Sequence, residues 1–236
     1  MLPSIASAQT GVPFGWGDNQ LGQLGLGYFG SPCVPVQAPY LKDVVQVAPS
    51  GMHNLALKSN GMVLQWGGSY PNTDYWNTNT PTIVPGLTNI VQVACSGGWN
   101  GIPLSGTMMA VRSDGTLWGW GMNSHGELGD GTYEKRASPV QVKGLTGVVS
   151  VSISTPNSLV YAGKSDGTVW TWGDNHFGQL GDGTTTNSNT PVQVLCNGQS
   201  GVLTGVTQAS AGWFQDRKST RLNSSHSSVS RMPSSA

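Results

Sequence analysis

The residues best suited to chemistry in this sequence are acidic and amide side chains in glycine-rich segments. Asp174, Asn175 and Asp182 occur in WGDNHFGQLGDGT, and Asn123 and Asp130 take the matching places in WGMNSHGELGDGT. Their oxygens could ligate calcium, but the alternating ligand spacing and the final bidentate Glu of an EF-hand loop are missing. Because Asn and Asp beside Gly commonly form turns and caps, we predict that role and no metal site.

Other signatures of catalysis or cofactor binding are weak. His53, His125 and His176 lie in different contexts, and the last two occupy different slots of the NxxG motif, so we expect exposed loop histidines rather than ligands. Residues 25–30 match the GxGxxG motif. A dinucleotide site needs a strand before this motif and a helix after it, and because neither is indicated here, we predict a turn. No GxSxG elbow and no Cys beside a His are present. We therefore predict no enzyme and no cofactor.

Five hydrophobic side chains in irregular segments are candidates for contacting a protein partner: Tyr70, Tyr75, Trp76, Trp99 and Met108. The repeat described below does not require aromatic residues at these places. Loops on a repetitive scaffold often carry binding specificity, and aromatic anchors dominate protein interfaces. The alternative is that these rings cover the edge of a sheet. The sequence leaves both interpretations open.

The composition limits the classes of protein to which the chain can belong. Its 236 residues are 37% hydrophobic and only 9% charged, against about 25% charged in ordinary soluble domains. Gly is abundant at 34 residues, and long helix-forming runs are missing, which excludes an all-α fold. The net charge of zero and the lack of a long apolar stretch predict neither nucleic-acid contact nor a membrane span. Three Cys without a CxxC pair are expected to be apolar fillers.

A repeat of about fifty residues organises most of the chain. Its clearest marker is a Trp-Gly pair, at Trp16, Trp66, Trp120 and Trp172. A Ser-Asn-Gly or Ser-Asp-Gly turn precedes the last three, and a Pro with a short apolar run follows each one. Self-similarity at this period is typical of architectures built from repeated supersecondary units.

Each repeat unit predicts four short antiparallel strands. Apolar runs such as Val44 to Ala48 are too short for helices, and the Asn-Gly or Asp-Gly pairs predict type I′ hairpin turns with positive φ at both central residues. The Pro predicts an edge-like fourth strand. Because one such sheet cannot bury both faces, the sheets must stack as blades around an axis, with Trp118 and Trp120 filling the gap to the next blade.

These motifs carry a family resemblance. The WGxNxxGQLG signature, the SDGTxWxWG turn and strand, and the PxxV segment resemble the repeats of the regulator of chromosome condensation family over about residues 14 to 213. The resemblance implies an all-β fold, a seven-bladed β-propeller of four-stranded antiparallel blades. The chain holds about four units, so we expect an incomplete ring, with a small closed ring of four blades as the alternative. Unit two departs from the pattern, with GGSYPNTDYWNTNTPT in place of the NxxGQLG loop, and residues 97–107 form an insertion.

Both ends of the chain differ from the repeats. Residues 1–13 contain Ala6-Ser7-Ala8, which fits an AxA cleavage pattern, so we expect a signal-peptide remnant before the blades of residues 14–215. Residues 216–236 are Ser-rich without Gly or Trp, and the stretch from Asp216 to His226 resembles a translated sequencing adaptor. We expect residues 216–236 to be a disordered, non-native tail.

The functional expectation is a non-enzymatic scaffold for protein–protein interaction, exported or at the cell surface, with a cytoplasmic location as the alternative. The family resemblance also implies guanine-nucleotide exchange on a small GTPase, but no residue here can be matched to the exchange wedge. Secreted inhibition or glycan binding is a third alternative. Function resides in sites rather than in folds, so the loops must distinguish these possibilities.

Overall fold

The computed structural model describes residues 11–50, 53–68, 78–97, 106–154, 159–196 and 201–206. Strands, turns and irregular segments make up these residues, and no helix occurs among them. In chain order the strands are β1 Phe14–Gly15, β2 Val36–Gln37, β3 Val44–Pro49, β4 His53–Lys58, β5 Val63–Gly67, β6 Thr78–Ile83, β7 Ile90–Cys95, β8 Thr107–Arg112, β9 Leu117–Gly121, β10 Arg136–Gln141, β11 Val148–Ile153, β12 Val160–Lys164, β13 Val169–Gly173 and β14 Ser188–Gln193.

Three antiparallel sheets each contain four strands in sequence order. Strands β3 to β6 form blade 2, β7 to β10 form blade 3, and β11 to β14 form blade 4. Strands β1 and β2 pair with each other as the outer half of a blade, here called half-blade 1. The sequence prediction of an all-β chain of four-stranded antiparallel blades is confirmed.

The hairpin between the second and third strands of each blade differs from the predicted turn. Gly61, Gly115 and Gly167 have φ near +80°, but the Asn or Asp before each one does not have a positive φ. In blade 3, the Arg112 amide donates to Thr116 O and the Gly115 amide donates to Arg112 O. This is a three-residue loop that ends in a left-handed glycine bulge, so the type I′ prediction is wrong. Only the glycine needs the unusual backbone conformation.

Pro interrupts the fourth strand rather than opening it. Pro81, Pro139 and Pro191 each lie three residues inside the strand, between two pairs of partners whose register shifts. Such a shift marks a bulge, where a residue without an N–H can be accommodated in an outer strand.

The Trp of the Trp-Gly pair packs against the preceding blade in blades 2, 3 and 4. Trp66, Trp120 and Trp172 are buried, and Trp172 shares its core cluster with Leu128 and Leu145 of the blade 3 unit. Trp16 is the exception at 61% exposed, since the described residues include no blade before half-blade 1. Three of the four Trp residues that mark the repeat therefore have equivalent, buried surroundings.

Two glutamines join the inner strands of neighbouring blades. The Gln46 side chain donates to Val93 O at 2.9 Å and accepts from Val93 N at 3.0 Å. The Gln92 side chain makes the same pair of bonds with Val151, at 3.2 Å and 3.0 Å. At these two blade junctions a side-chain amide thus pairs with main-chain groups on the neighbouring inner strand and satisfies them. Ser150 takes the equivalent place in blade 4.

Replacing Gln46 with Ala is expected to accelerate amide hydrogen exchange at Val93, since the amide loses its only acceptor at this junction. The free energy of unfolding should fall by about 1–3 kcal/mol, the usual cost of leaving an enclosed polar group unpaired. Residue-resolved hydrogen exchange measures the first effect. Gln92→Ala is the control, because it should accelerate Val151 and leave Val93 unchanged. Equal acceleration of both amides in both variants would contradict these specific junctions.

The predicted N-terminal segment of residues 1–13 and tail of residues 216–236 lie largely outside the described residues, which begin at 11 and end at 206. Among the described residues there is no helix with the length and apolar character needed to cross a membrane.

Candidate functional site

The loops after the Trp-Gly pairs are held in place by buried asparagines. Asn123 and Asn175 are fully buried, and each side-chain oxygen accepts from the amide five residues later, Leu128 N at 2.8 Å or Leu180 N at 2.9 Å. The Asn123 amide nitrogen donates to the main-chain oxygens of Thr132 and Glu134, both at 3.1 Å. One side chain therefore fixes both ends of residues 123–134. Asn19 does the same in half-blade 1.

The acidic residues of these loops serve as caps, as the sequence predicted. Asp130 accepts from Thr132 N at 2.9 Å and forms an ion pair with Arg136 at 2.8 Å. Asp182 accepts from Thr184 N at 2.9 Å. Since their oxygens are engaged within the loops, these carboxylates stabilise the turns. Among residues 11–206 as described, no group of three His, Cys, Asp or Glu side chains is arranged to hold a metal ion.

Replacing Asn123 with Ala removes several hydrogen bonds at once. We expect the free energy of unfolding to fall by about 1–3 kcal/mol, because the Leu128 amide and two carbonyls lose a buried partner. Urea denaturation followed by tryptophan fluorescence measures the change. Asn60→Ala is the control, since Asn60 is an exposed turn residue and its loss should cost clearly less. Equal losses of stability for the two variants would contradict the proposal that Asn123 holds the loop in place.

The structure brings together two histidines that the sequence kept apart. The rings of His125 in blade 3 and His176 in blade 4 have centroids 6.2 Å apart in an edge-to-face arrangement. His125 Nδ1 lies 3.2 Å from Glu127 Oε1, and His176 Nδ1 contacts Asp174 Oδ1. Adjacent loops are related by the rotation between blades. The second variable position of the NxxG motif in one loop therefore faces the first variable position of the motif in the next loop. His53 differs from the expected exposed histidine because it is buried in β4.

Aromatic side chains extend into solvent from the loops that the buried asparagines hold in place. Phe177 is 69% exposed and Tyr133 is 54% exposed. Tyr133 stands between Thr132 and Glu134, whose carbonyls Asn123 holds, so its backbone is fixed while its ring is free of the core. We call His125, Tyr133, His176 and Phe177 the loop face. Sequence reasoning missed it, because these residues occupy variable positions of the repeat.

The partner-binding candidates from the sequence have different outcomes. Met108 is 2% exposed and packs in one core cluster with Trp120, so it belongs to the interior and the prediction is wrong for it. The reason is that β8 begins at Thr107 and turns this side chain toward blade 2. Tyr70, Tyr75, Trp76 and Trp99 lie outside the described residues, and their role stays a prediction.

The GxGxxG match between Gly25 and Gly30 serves as an inter-blade turn, as predicted from its context. Gly25 has φ +65°, and a Cβ there would lie 2.9 Å from Trp66 Nε1. The Gly27 amide donates to Asn79 O at 2.9 Å. These glycines therefore permit close approach of blade 2 to half-blade 1.

Two of the cysteines differ in their exposure. Burial raises the pKa of Cys95 to about 12, and its Sγ donates to Ala48 O at 2.9 Å, as expected of a filler thiol. Cys33 is exposed, so the filler prediction is wrong for it.

Because the thiolate is the reactive form, iodoacetamide at pH 8 should label Cys33 and spare Cys95 in the folded chain. Site-resolved mass spectrometry tests this, with urea-unfolded chain as the fully labelled control; rapid labelling of folded Cys95 would contradict its burial.

Comparison with known sequences agrees with this architecture. The regulator of chromosome condensation (RCC1) repeat matches residues 11–57, 114–160 and 166–215. The ultraviolet-B receptor UVR8 of Arabidopsis thaliana is 31% identical over 228 residues, which are 93% of this chain and 49% of the receptor. The E3 ubiquitin-protein ligase HERC2 of Homo sapiens is 29% identical over 199 residues, 80% of this chain and 4% of the ligase. The chain thus spans less than half the length of these relatives.

Solved structures show the same fold. Human WBSCR16 superposes with a TM-score of 0.65 at 24% identity, covering 88% of this chain and 52% of that one. Prp20p from Saccharomyces cerevisiae, whose structure was described together with its binding to Gsp1p and histones, gives a TM-score of 0.52 at 21% identity. This overlap covers 85% of this chain and 61% of Prp20p.

Proposed function

Because the chain belongs to the RCC1 repeat family of protein-interaction and GTPase-regulator propellers, we propose that it is a non-enzymatic protein-binding module whose contact surface is the loop face. The observation that carries the proposal is the exposure of Phe177 and Tyr133 on loops fixed by buried asparagines. A rigid loop loses little conformational entropy on binding, and aromatic rings supply large contact areas.

The neighbouring histidines and carboxylates add polarity to this surface. His125 and His176 each carry a carboxylate partner on Nδ1, so the remaining ring nitrogen of each is oriented by its own loop. Aromatic side chains beside fixed polar groups are the composition of protein interfaces, in which apolar anchors are surrounded by a polar rim. The insertions that hold Tyr70, Tyr75, Trp76 and Trp99 are proposed as a second part of the surface.

Prp20p provides the probes for a test, since Gsp1p and histones are named with it. We expect the purified chain to bind at least one of these proteins saturably in biolayer interferometry, without accelerating nucleotide release from a small GTPase. The double variant His125→Ala/Tyr133→Ala should weaken binding at least tenfold, which corresponds to about 1.4 kcal/mol. Phe29→Ala is the matched control, because Phe29 takes the place of Tyr133 in half-blade 1 and is also exposed.

Two outcomes would count against this function. Accelerated nucleotide release would show that the chain acts as an exchange factor rather than as a binding module. If Phe29→Ala reduced binding as strongly as the double variant does, the loop face would not be the contact surface. Histone binding in particular should be measured at more than one salt concentration, since purely electrostatic attachment declines steeply with ionic strength.

Export to the cell surface is also proposed, on the basis of the low charge content and the Ala6-Ser7-Ala8 pattern. Fractionation of cells that express the chain with a C-terminal epitope tag tests it. We expect the tag outside the cytoplasmic fraction, and recovery of the tagged chain only in the cytoplasm would contradict the proposal.

A further inference from the structure

His125 and His176 meet at the junction of blades 3 and 4, on loops that buried asparagines hold in place. Their ring centroids are 6.2 Å apart. His125 lies two residues after Asn123, and His176 directly follows Asn175. The backbone under both rings is therefore anchored. The side chains themselves are 43% and 65% exposed, so a solute can reach them and the rings can adjust around it.

A carboxylate determines which nitrogen of each ring carries the proton. His125 Nδ1 lies 3.2 Å from Glu127 Oε1, and His176 Nδ1 contacts Asp174 Oδ1. Because an ionised carboxylate only accepts hydrogen bonds, each Nδ1 must be the donor. The lone pair of the neutral imidazole is then on Nε2. Ser124 Oγ, 3.2 Å from His125 Nδ1, can accept from the same N–H.

The two carboxylates are themselves held in position. Glu127 is buried, and its Oε2 accepts from the His125 main-chain amide at 2.8 Å. Asp174 is also buried, and its Oδ2 accepts from Gln179 Nε2 at 3.0 Å. A histidine that donates from one ring nitrogen to a fixed carboxylate and keeps the other nitrogen open has the arrangement of a metal ligand with its outer-shell partner. The junction holds two such histidines.

The loops supply these carboxylates from different positions. In half-blade 1 and blade 4, an Asp before the buried Asn accepts from the Gln of the Gly-Gln-Leu-Gly sequence. In blade 3, Met122 takes the place of that Asp and Glu127 takes the place of that Gln. Both histidines thus have a carboxylate on Nδ1, although they occupy different variable positions of the NxxG motif.

We propose that His125 and His176 bind one divalent transition-metal ion between blades 3 and 4 through their Nε2 atoms. At a metal–nitrogen distance of about 2.0–2.1 Å, two imidazoles on one ion have ring centroids about 4.5–6.5 Å apart. The observed separation of 6.2 Å falls in this range. Imidazole suits Zn²⁺, Cu²⁺ and Ni²⁺ better than Ca²⁺ or Mg²⁺, and Cu²⁺ binds most tightly of these ions. The described residues offer no third His, Cys, Asp or Glu to the ion, so water completes its coordination.

An ion at this site joins two loops whose histidines are far apart in sequence. The folded chain brings the two rings together, so the ion binds it in preference to the unfolded chain and stabilises the junction by mass action. No protein partner is needed for this binding. The test with a metal ion alone is therefore independent of the protein binding proposed above.

Isothermal titration calorimetry with Zn²⁺ tests the site in a Cys33→Ser background, which removes an exposed thiol that could compete for the ion. We expect one saturable site per chain. His125→Leu and His176→Gln should each raise the Zn²⁺ dissociation constant at least tenfold. Half-blade 1 has Leu21 and Gln20 at these places, so the fold accommodates both substitutions.

Two control variants separate this site from the rest of the chain. Asp18→Asn changes the residue that corresponds to Asp174, in a loop without histidine. His226→Ala removes a histidine that lies outside the described residues. Both variants should bind Zn²⁺ as tightly as the unmodified background.

Glu127→Gln tests the carboxylate as a positioning group. Gln23 and Gln179 hold this place in the other loops and accept from the main-chain amide two residues earlier, so the loop should keep that bond. The new side-chain amide donates toward His125 Nδ1 and moves the ring proton to Nε2, which removes the lone pair. Zn²⁺ affinity should fall at least threefold, and nitrogen NMR of His125 should show the exchanged tautomer, which a purely structural role would not produce. An unchanged affinity and tautomer would contradict the role of the carboxylate.

Electron paramagnetic resonance of bound Cu²⁺ identifies the ligands directly. We expect two imidazole nitrogens in the unmodified background and one in each histidine variant. Circular dichroism of each variant confirms that the strands are intact. Lack of saturable Zn²⁺ binding, unchanged affinity in either histidine variant, or a Cu²⁺ spectrum with fewer than two imidazoles in the unmodified background would each overturn the proposal.

Discussion

Trp172→Ala is expected to lower the free energy of unfolding by about 3–5 kcal/mol, the usual cost of removing a large aromatic side chain from a core. Trp172 is completely buried, fills the junction of blades 3 and 4, and donates to Glu127 O. Its removal leaves both a cavity and an unpaired carbonyl. Urea denaturation monitored by circular dichroism measures the loss.

The matched control is Trp16→Ala, because Trp16 has the same position in the repeat but is mostly exposed. Its removal should cost less than about 1 kcal/mol, as is usual for surface positions. Similar losses for the two variants would mean that burial against the preceding blade is not what makes this Trp important.

Gly126→Ala is expected to cost about 2–5 kcal/mol, which combines the strain of a left-handed alanine with overpacking. Gly126 has φ +87°, and the added Cβ would lie 2.5 Å from Asn189 Cα, a main-chain atom that cannot move without shifting β14. The denaturation midpoint and slope in urea give the free energy.

Gly178→Ala is the control for this variant. It occupies the same place in the blade 4 loop with φ +75°, but its nearest neighbour would be Thr184 O at 3.6 Å. Only the backbone strain remains, at about 1–2 kcal/mol. If Gly178→Ala lowered the free energy of unfolding as much as Gly126→Ala, contact between blades would not determine the difference.

Most of the fold could be predicted from the sequence because it follows from local periodicity. The strands around Trp66, Trp120 and Trp172, their order and their antiparallel pairing are all specified within one repeat unit. The turn type was predicted wrongly because Asp-Gly is compatible with two hairpin geometries, and only the structure shows that Asp114 keeps a negative φ.

The candidate site could not be predicted in the same way, because it depends on relations between units. His125 and His176 are 51 positions apart and in different slots, and only the rotation between blades brings their rings together. The position of Met108 in the interior likewise depends on where β8 begins after an irregular insertion. Repeat patterns identify which residues are equivalent, but not which residues of neighbouring units touch.

The central claim is that each buried indole docks on the preceding blade, and hydrogen exchange of the tryptophan side-chain N–H groups tests it most directly. Trp66, Trp120 and Trp172 are buried and donate to residues of the blade before them. Trp118 and Trp170 are partly exposed and donate to threonines in their own hairpins. We predict exchange at least about a hundredfold slower for the first group, since it requires blades to separate. Equal exchange rates for Trp170 and Trp172, two residues apart on one strand, would contradict the account.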